Sequence, residues 1–144
     1  MKTLTYLLFF ISFLVLIGTA CADTVIYTPH GTCTIHGDEK QGTIYTPEGT
    51  YSYSDNGNTI IIYDGKGTSS TYNKDTGTFY TPKSTYSDDK QGTIYGSEKN
   101  YHYHDNNDSG TIYSPSGTSS WHDSTEGDTI NHLVPILLEE IDKK

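Results

Sequence analysis

The sequence predicts an all-β fold, an antiparallel meander of tandem β-hairpin repeats in an open or weakly curled sheet, followed by a short C-terminal helix. Three observations carry this. First, a Gly-Thr-Ile-Tyr-like motif returns at Ile26-Tyr27, Ile44-Tyr45, Ile62-Tyr63, Phe79-Tyr80, Ile94-Tyr95 and Ile112-Tyr113, with Ile130-Asn131 as a degenerate seventh copy. The spacing is mostly about eighteen residues, and such regular self-similarity marks an array. Second, turn residues stand at both ends of the strand-like stretches. Third, the chain is poor in aliphatic residues but holds thirteen Tyr, strong strand formers that bury area while keeping a polar hydroxyl.

The chain opens on Met1-Lys2 and then an apolar run from Leu7 to Ile17 interrupted only by Ser12. One Lys, an apolar core too short to span a bilayer and Ala20-Cys21-Ala22 as a cleavage site read as a signal peptide over residues 1–22. Cleavage after Ala22 leaves Asp23 first. Gly18-Thr19-Ala20-Cys21 also partly matches a lipobox, which would lipidate Cys21, although Gly18 stands where Leu is usual. Cleavage after Ala20 without a lipid would let Cys21 pair with Cys33 in an oxidising space, and otherwise Cys33 is a buried, inert thiol. The expected location is outside the cell, or in the periplasm or cell envelope.

Residues 23–131 are read as the repeat domain. Within one unit, Thr43-Ile44-Tyr45-Thr46 is a strand, Pro47-Glu48-Gly49 a turn, Thr50 to Ser54 a second strand, and Asp55-Asn56-Gly57-Asn58 the turn back. Pro47 presets φ for a type I turn and Asn56-Gly57 is a strong hairpin signal. Strand alternation puts the Ile/Phe column on one face and the Tyr column on the other. On the second strands, Tyr51 and Tyr53, Tyr101 and Tyr103, and Ser119 and Trp121 each share a side. About a dozen short strands make the open sheet, with closure into a barrel as another arrangement and a β-solenoid as the alternative fold.

Residues 132–144 differ. Leu133 to Ile141 has apolar residues at helix spacing, Pro135 at a first-turn position and Lys143-Lys144 suited to the C-terminal end of the helix dipole. The expected role is a cap that hides the edge of the last repeat.

The stretches Gly-Thr-Ile-Tyr-Thr-Pro-Glu-Gly-Thr and Gly-Thr-Ile-Tyr-Gly-Ser resemble those of uncharacterised exported bacterial proteins with tandem "NTIYGSDGTSY"-type repeats. The resemblance spans Thr24 to Thr129 and implies export and a hairpin-repeat fold. It implies no activity.

Composition excludes more than it assigns. The formal charge is −9 and there is no Arg, so the phosphate-neutralising face that nucleic-acid binding needs is missing. The mature chain has no stretch suited to a transmembrane helix, and no cofactor motif stands out. No nucleophile with a base, no carboxylate pair in a cleft and no phosphate loop is legible, so the expected protein is not an enzyme. His102 and His104 lie on one face of a strand, two residues apart, with Asp105 beside them; this is the candidate metal site, weighed against a solvated pair. Asp105 to Gly110 matches the start of a calcium loop but lacks the bidentate Glu. Tyr45, Tyr63, Tyr80, Tyr95, Tyr113 and Trp121 form a candidate ligand-binding ladder, weighed against tyrosines that only stabilise the sheet by cross-strand pairing. The expected function is a non-enzymatic exported repeat protein with a structural or interaction role, touching a glycan or an envelope protein. A carbohydrate-binding module that uses the ladder is the alternative.

Overall fold

The computed structural model describes residues 23–38, 40–106, 109–122 and 129–141. These residues form twelve strands and one helix. The strands are β1 (Asp23–Thr28), β2 (Gly31–Gly37), β3 (Gln41–Thr46), β4 (Gly49–Asp55), β5 (Thr59–Tyr63) and β6 (Ser69–Asn73). They continue as β7 (Thr78–Tyr80), β8 (Thr85–Asp88), β9 (Thr93–Tyr95), β10 (Asn100–Asn106), β11 (Ser109–Ser114) and β12 (Gly117–His122), and the chain ends in helix α1 (Ile130–Ile141).

Every strand pairs antiparallel with its neighbours in sequence, as the hairpin reading expects and a solenoid does not. The open sheet is corrected, because the meander closes. Ile26 of β1 stands opposite Cys33 of β2 and also opposite Trp121 of β12, so the first and last strands complete a twelve-stranded barrel. Closure gives both edge strands a partner and leaves no row of unpaired backbone groups, which is its physical advantage over an open array.

Alternation is as predicted. Ile26, Ile44, Ile62, Phe79, Ile94 and Ile112 point inward and are at most 2 % exposed, while the tyrosine after each points outward. From the second strands, Ile35, Tyr53, Tyr72, Tyr86, Tyr101 and Trp121 complete the inner wall. The Gly of the motif lies two residues before the Ile and so shares its inward face, where it makes room for a ring across the strand. Gly110 faces Trp121, whose Cζ2 would lie 2.0 Å from an added Cβ, and Gly42 faces Tyr53 in the same way. The outer wall carries mostly Thr, Ser, His and Tyr, with Val25 and Ile61 as aliphatic exceptions.

The helix does not cap an edge, because the closed barrel has none. All its side chains from Ile130 to Glu140 are buried. A helix buried on every side must be surrounded, and α1 runs through the lumen. Ile130-Asn131 is therefore its first turn and not a seventh repeat. Pro135 sits inside the helix, past its first turn, and removes one backbone hydrogen bond there. Twelve residues rise about 18 Å, close to the length of a strand of five or six residues, so the helix crosses from rim to rim.

The two rims favour different turn chemistry, although the β5–β6 turn at the first rim is also held by an aspartate, Asp64. At the first, the turns after β1, β3, β7 and β11 are closed by Thr28, Thr46, Thr81 and Ser114, whose hydroxyls donate to the carbonyls of Gly31, Gly49, Ser84 and Gly117. At the second, carboxylate and amide oxygens of Asp38, Asp55, Asn73 and Asp89 accept backbone N–H groups of their own turns. Much of the acidity of the chain is thus spent on making turns.

Candidate functional site

The outward tyrosines of β1, β3, β5, β7, β9 and β11 all stand within a residue or so of the first-rim turns. Alternation and repeat spacing therefore bring Tyr27, Tyr45, Tyr63, Tyr80, Tyr95 and Tyr113 to one level, as a girdle around the barrel. Each is between 44 % and 58 % exposed. Tyrosines on every second strand are about 9–10 Å apart along the hydrogen-bonding direction. Because the sheet is closed, a straight partner meets two or three of them at once.

The register sets what flanks each ring. Tyr27 lies between Thr32 and Ser120, Tyr45 between Thr50 and Thr34, and Tyr63 between Ser69 and Ser52. Tyr80 lies between Thr85 and Thr71, Tyr95 between Asn100 and Ser87, and Tyr113 between Thr118 and His102. The girdle is thus a row of half-exposed aromatic faces whose cross-strand neighbours among the described residues are polar and include no Lys, Asp or Glu, although the Tyr95 side chain also meets the Asp89 carboxylate. Tyr45 also has the His36 ring edge-on at 5.4 Å.

Of the predicted ladder, Tyr45, Tyr63, Tyr80, Tyr95 and Tyr113 are on this surface, and Tyr27 joins them as a sixth member. Trp121 is not part of it. It points into the lumen, 4 % exposed, with its ring 5.0 Å from that of His132.

The histidine pair is on the outer wall, and Asp105, one residue on, faces inward, as alternation requires. Thr93 Oγ1 lies 3.3 Å from His102 Nδ1, while Asp105 Oδ2 lies 3.3 Å from His132 Nε2. His102, His104 and Asp105 therefore do not converge, and no group of three or more metal-ligating side chains gathers among the described residues. The calcium-loop match is likewise split, its first carboxylate turned to the lumen and residues 107 and 108 outside the described residues. Cys33 is buried and free, and burial pushes its thiol up to about 11, as an inert thiol requires. Cys21 lies outside the described residues.

The lumen holds polar groups that the repeat pattern does not announce. At the first rim, Glu139 is 5 % and Glu140 3 % exposed. Lys99 pairs with the Glu139 carboxylate, which also accepts from Tyr101 Oη at 3.2 Å and from Ser116. Tyr86 Oη donates to Glu140 at 2.6 Å, and Lys83 Nζ donates to the Glu140 carbonyl at 2.7 Å. These bonds hold the end of the helix in place. The signal for them was Glu139-Glu140 at the end of an otherwise apolar segment, where two charges must find partners or water.

At the second rim a cavity of about 330 Å³ is lined by Tyr72, Lys74, Asp88, Lys90, Tyr103, Asp105, Thr129 and His132. Its charged groups are committed to one another or to the backbone. Tyr72 and Tyr103 both donate to Asp88 at 3.0 Å, Lys74 pairs with Asp55, and Lys90 donates to the Lys74 carbonyl at 2.6 Å. Burial holds the His132 imidazole below its ordinary range, against the opposing pull of Asp105 and Asp88. A base with a depressed folded pKa binds fewer protons when folded, so this contribution is present at neutral pH and is lost as pH falls below the ordinary 6.5. His132→Phe keeps a ring against Tyr103 and Trp121 and should remove the stability loss that begins below about pH 6.5. Urea midpoints taken across the acidic limb check this, and a variant curve that parallels the wild type would sink it.

No protein-family model, curated protein or solved structure matches the chain. Among the described residues no helix is long and apolar enough to cross a membrane.

Proposed function

We propose that this is a non-enzymatic exported protein with a structural or interaction role at the cell envelope or outside the cell, acting through the outer wall of its barrel. The observation that carries the reading is the girdle. Six half-exposed tyrosines stand at one level of a wall whose lumen is occupied by the protein's own helix. Aromatic rings bring large contact area at low conformational cost and dominate the energetics of many interfaces. The apolar leader supports export.

Carbohydrate binding is the second reading, and the flanks of the girdle favour it. Sugars present apolar ring faces edged with hydroxyls, which suits aromatic faces alternating with Thr, Ser and Asn. The test is depletion of the exported protein from solution by insoluble cellulose, chitin and β-glucan, for the wild type and for Tyr45→Ala/Tyr63→Ala. Loss of two adjacent rings should weaken retention by about thirtyfold, the effect of roughly 2 kcal/mol. Equal retention of the variant would remove the girdle from the reading. If no glycan retains the wild type, cross-linking in the native host decides whether the girdle meets a protein. A wild-type barrel that captures nothing there, or that captures the same partner without Tyr45 and Tyr63, overturns the outer-wall proposal.

A further inference from the structure

The helix does not fill the lumen evenly. Toward the first rim, between α1 and the β4 to β6 side of the wall, a cavity of about 240 Å³ remains. Its apolar lining comes from Ile62, Leu137, Pro82 and the ring of Tyr51. The cavity opens at the rim, and its volume leaves room for an aromatic ring with a short substituent, since an enclosed apolar cavity of about 150 Å³ already takes up benzene.

The polar groups here divide into two sets. The charged ones are occupied. Glu140 is held by Tyr86, Lys83 Nζ by the Glu140 carbonyl, and Asp64 by the backbone N–H groups of Lys66 and Thr68 in its own turn. Among the hydroxyls, Thr68 Oγ1 donates to Asp64, whereas those of Tyr51 and Ser70 stand apart. Five inward tyrosines, Tyr53, Tyr72, Tyr86, Tyr101 and Tyr103, each donate to an acceptor. Tyr51, the sixth, lines the cavity and has no hydrogen-bond partner among the described residues. Ser70 lines it too, 3 % exposed, and is likewise without a partner among them. Both hydroxyls open onto the cavity, so a ligand's polar group can take up the hydrogen bonds they otherwise make with water.

We propose that this cavity binds a small, uncharged, largely apolar molecule that carries one hydroxyl or carbonyl group, with its ring or chain against Leu137 and Ile62 and its polar group on the Tyr51 and Ser70 hydroxyls. An uncharged ligand fits best, because the lining is mostly apolar and its charged groups, Asp64, Lys83 and Glu140, already hold hydrogen bonds within the protein. The site lies inside the wall, separate from the girdle, and does not depend on the outer-wall reading.

Phenol and benzene are the probes, titrated calorimetrically into the exported protein. Both should bind saturably and one to one, phenol about fivefold more tightly through its hydrogen bond. Tyr51→Phe, which removes only a hydroxyl, should reduce that preference while leaving benzene unchanged. Leu137→Trp fills the cavity from the helix and Ser70→Leu from the wall, and either should weaken both probes at least tenfold. The proposal is overturned if the wild type shows no saturable uptake of either probe. It is also overturned if a folded filled-cavity variant binds as the wild type does, or if the phenol preference survives Tyr51→Phe. Should both filling variants fail to fold, the Tyr51→Phe comparison decides alone.

Discussion

A chain that ends at His122 is expected to lose its cooperative fold. The helix contributes Ile130, Leu133, Val134, Ile136, Leu137 and Leu138 to the core, all buried. At about 1.5–3 kcal/mol for each large apolar side chain, their burial alone is of order 10 kcal/mol, comparable with the 5–15 kcal/mol by which domains are stable. The inner wall also suffers. The ring of Ile26, Ile44, Ile62, Phe79, Ile94 and Ile112 would face an empty bore, and Tyr86 and Tyr101 would lose their carboxylate acceptors. Water cannot fill such an apolar space cheaply, and collapse of the wall would break its register. The check is near-ultraviolet circular dichroism together with emission from Trp121, which sits against His132 of the helix and therefore reports its seating. The truncated chain should show red-shifted emission and no sharp melting transition. A melting temperature within a few degrees of the wild type would mean that the barrel stands without its helix. Leu133→Ala is the milder form of the same test and should cost about 2–5 kcal/mol.

The faces of the strands were legible because a period of two leaves no freedom once the phase is known. Ile44 in and Tyr45 out follow from one another, and the hairpin turn carries the phase to Tyr51 and Tyr53. The same step places Trp121. Gly110 shares the face of Ile112, and the turn at Ser114 to Gly117 sets Gly110 opposite Trp121, so the indole belongs with the isoleucines. Placing it with the exposed tyrosines matched aromatic with aromatic and ignored the phase. Asp105 parts from His104 for the same reason.

Closure was not legible, because it depends on the accumulated twist and stagger of twelve strands and not on any local motif. The helix did offer a signal. Leu133, Val134, Ile136, Leu137 and Leu138 cover more than one face, and a helix that is apolar all round belongs inside something. Once α1 is in the lumen, the scarcity of aliphatic residues in the repeats is explained, since the core is shared between an isoleucine and aromatic wall and an aliphatic helix. The girdle then follows from the repeat and from closure together. The repeat sets all six tyrosines at one distance from their turns, and the barrel brings those turns to one rim.

Removal of the Lys99 charge should be the most damaging single change at the rim, with Lys99→Met as the variant. Glu139 lies at the last turn of a buried helix, where the backbone dipole already disfavours an anion. Burial pushes its carboxyl up, but hydrogen bonds from Lys99, Ser114 and Ser116, with the Lys99 charge, outweigh it and hold the group below its ordinary 4.5. A carboxyl depressed in the folded state contributes stability at pH values above 4.5, and that stability is lost as pH falls through the folded pKa. Methionine keeps the length of the side chain and much of its packing, and takes away the cation that pairs with Glu139 among the described residues. A buried carboxylate deprived of its partner typically costs about 3–5 kcal/mol. With burial then unopposed by the ammonium, the Glu139 carboxyl should shift upward, so the loss of stability should begin nearer neutrality than in the wild type. The double variant Lys99→Met/Glu139→Gln, which removes both charges, should recover much of the loss and return the acid limb toward that of His132 alone. The measurement is the urea midpoint from neutral to acidic pH for the wild type and the two variants. If Lys99→Met lowers the midpoint equally at every pH, the effect is one of packing and the ion pair does not hold the helix. If its acid limb moves up and the double variant moves it back, the pair is the electrostatic latch that keeps α1 seated in the barrel.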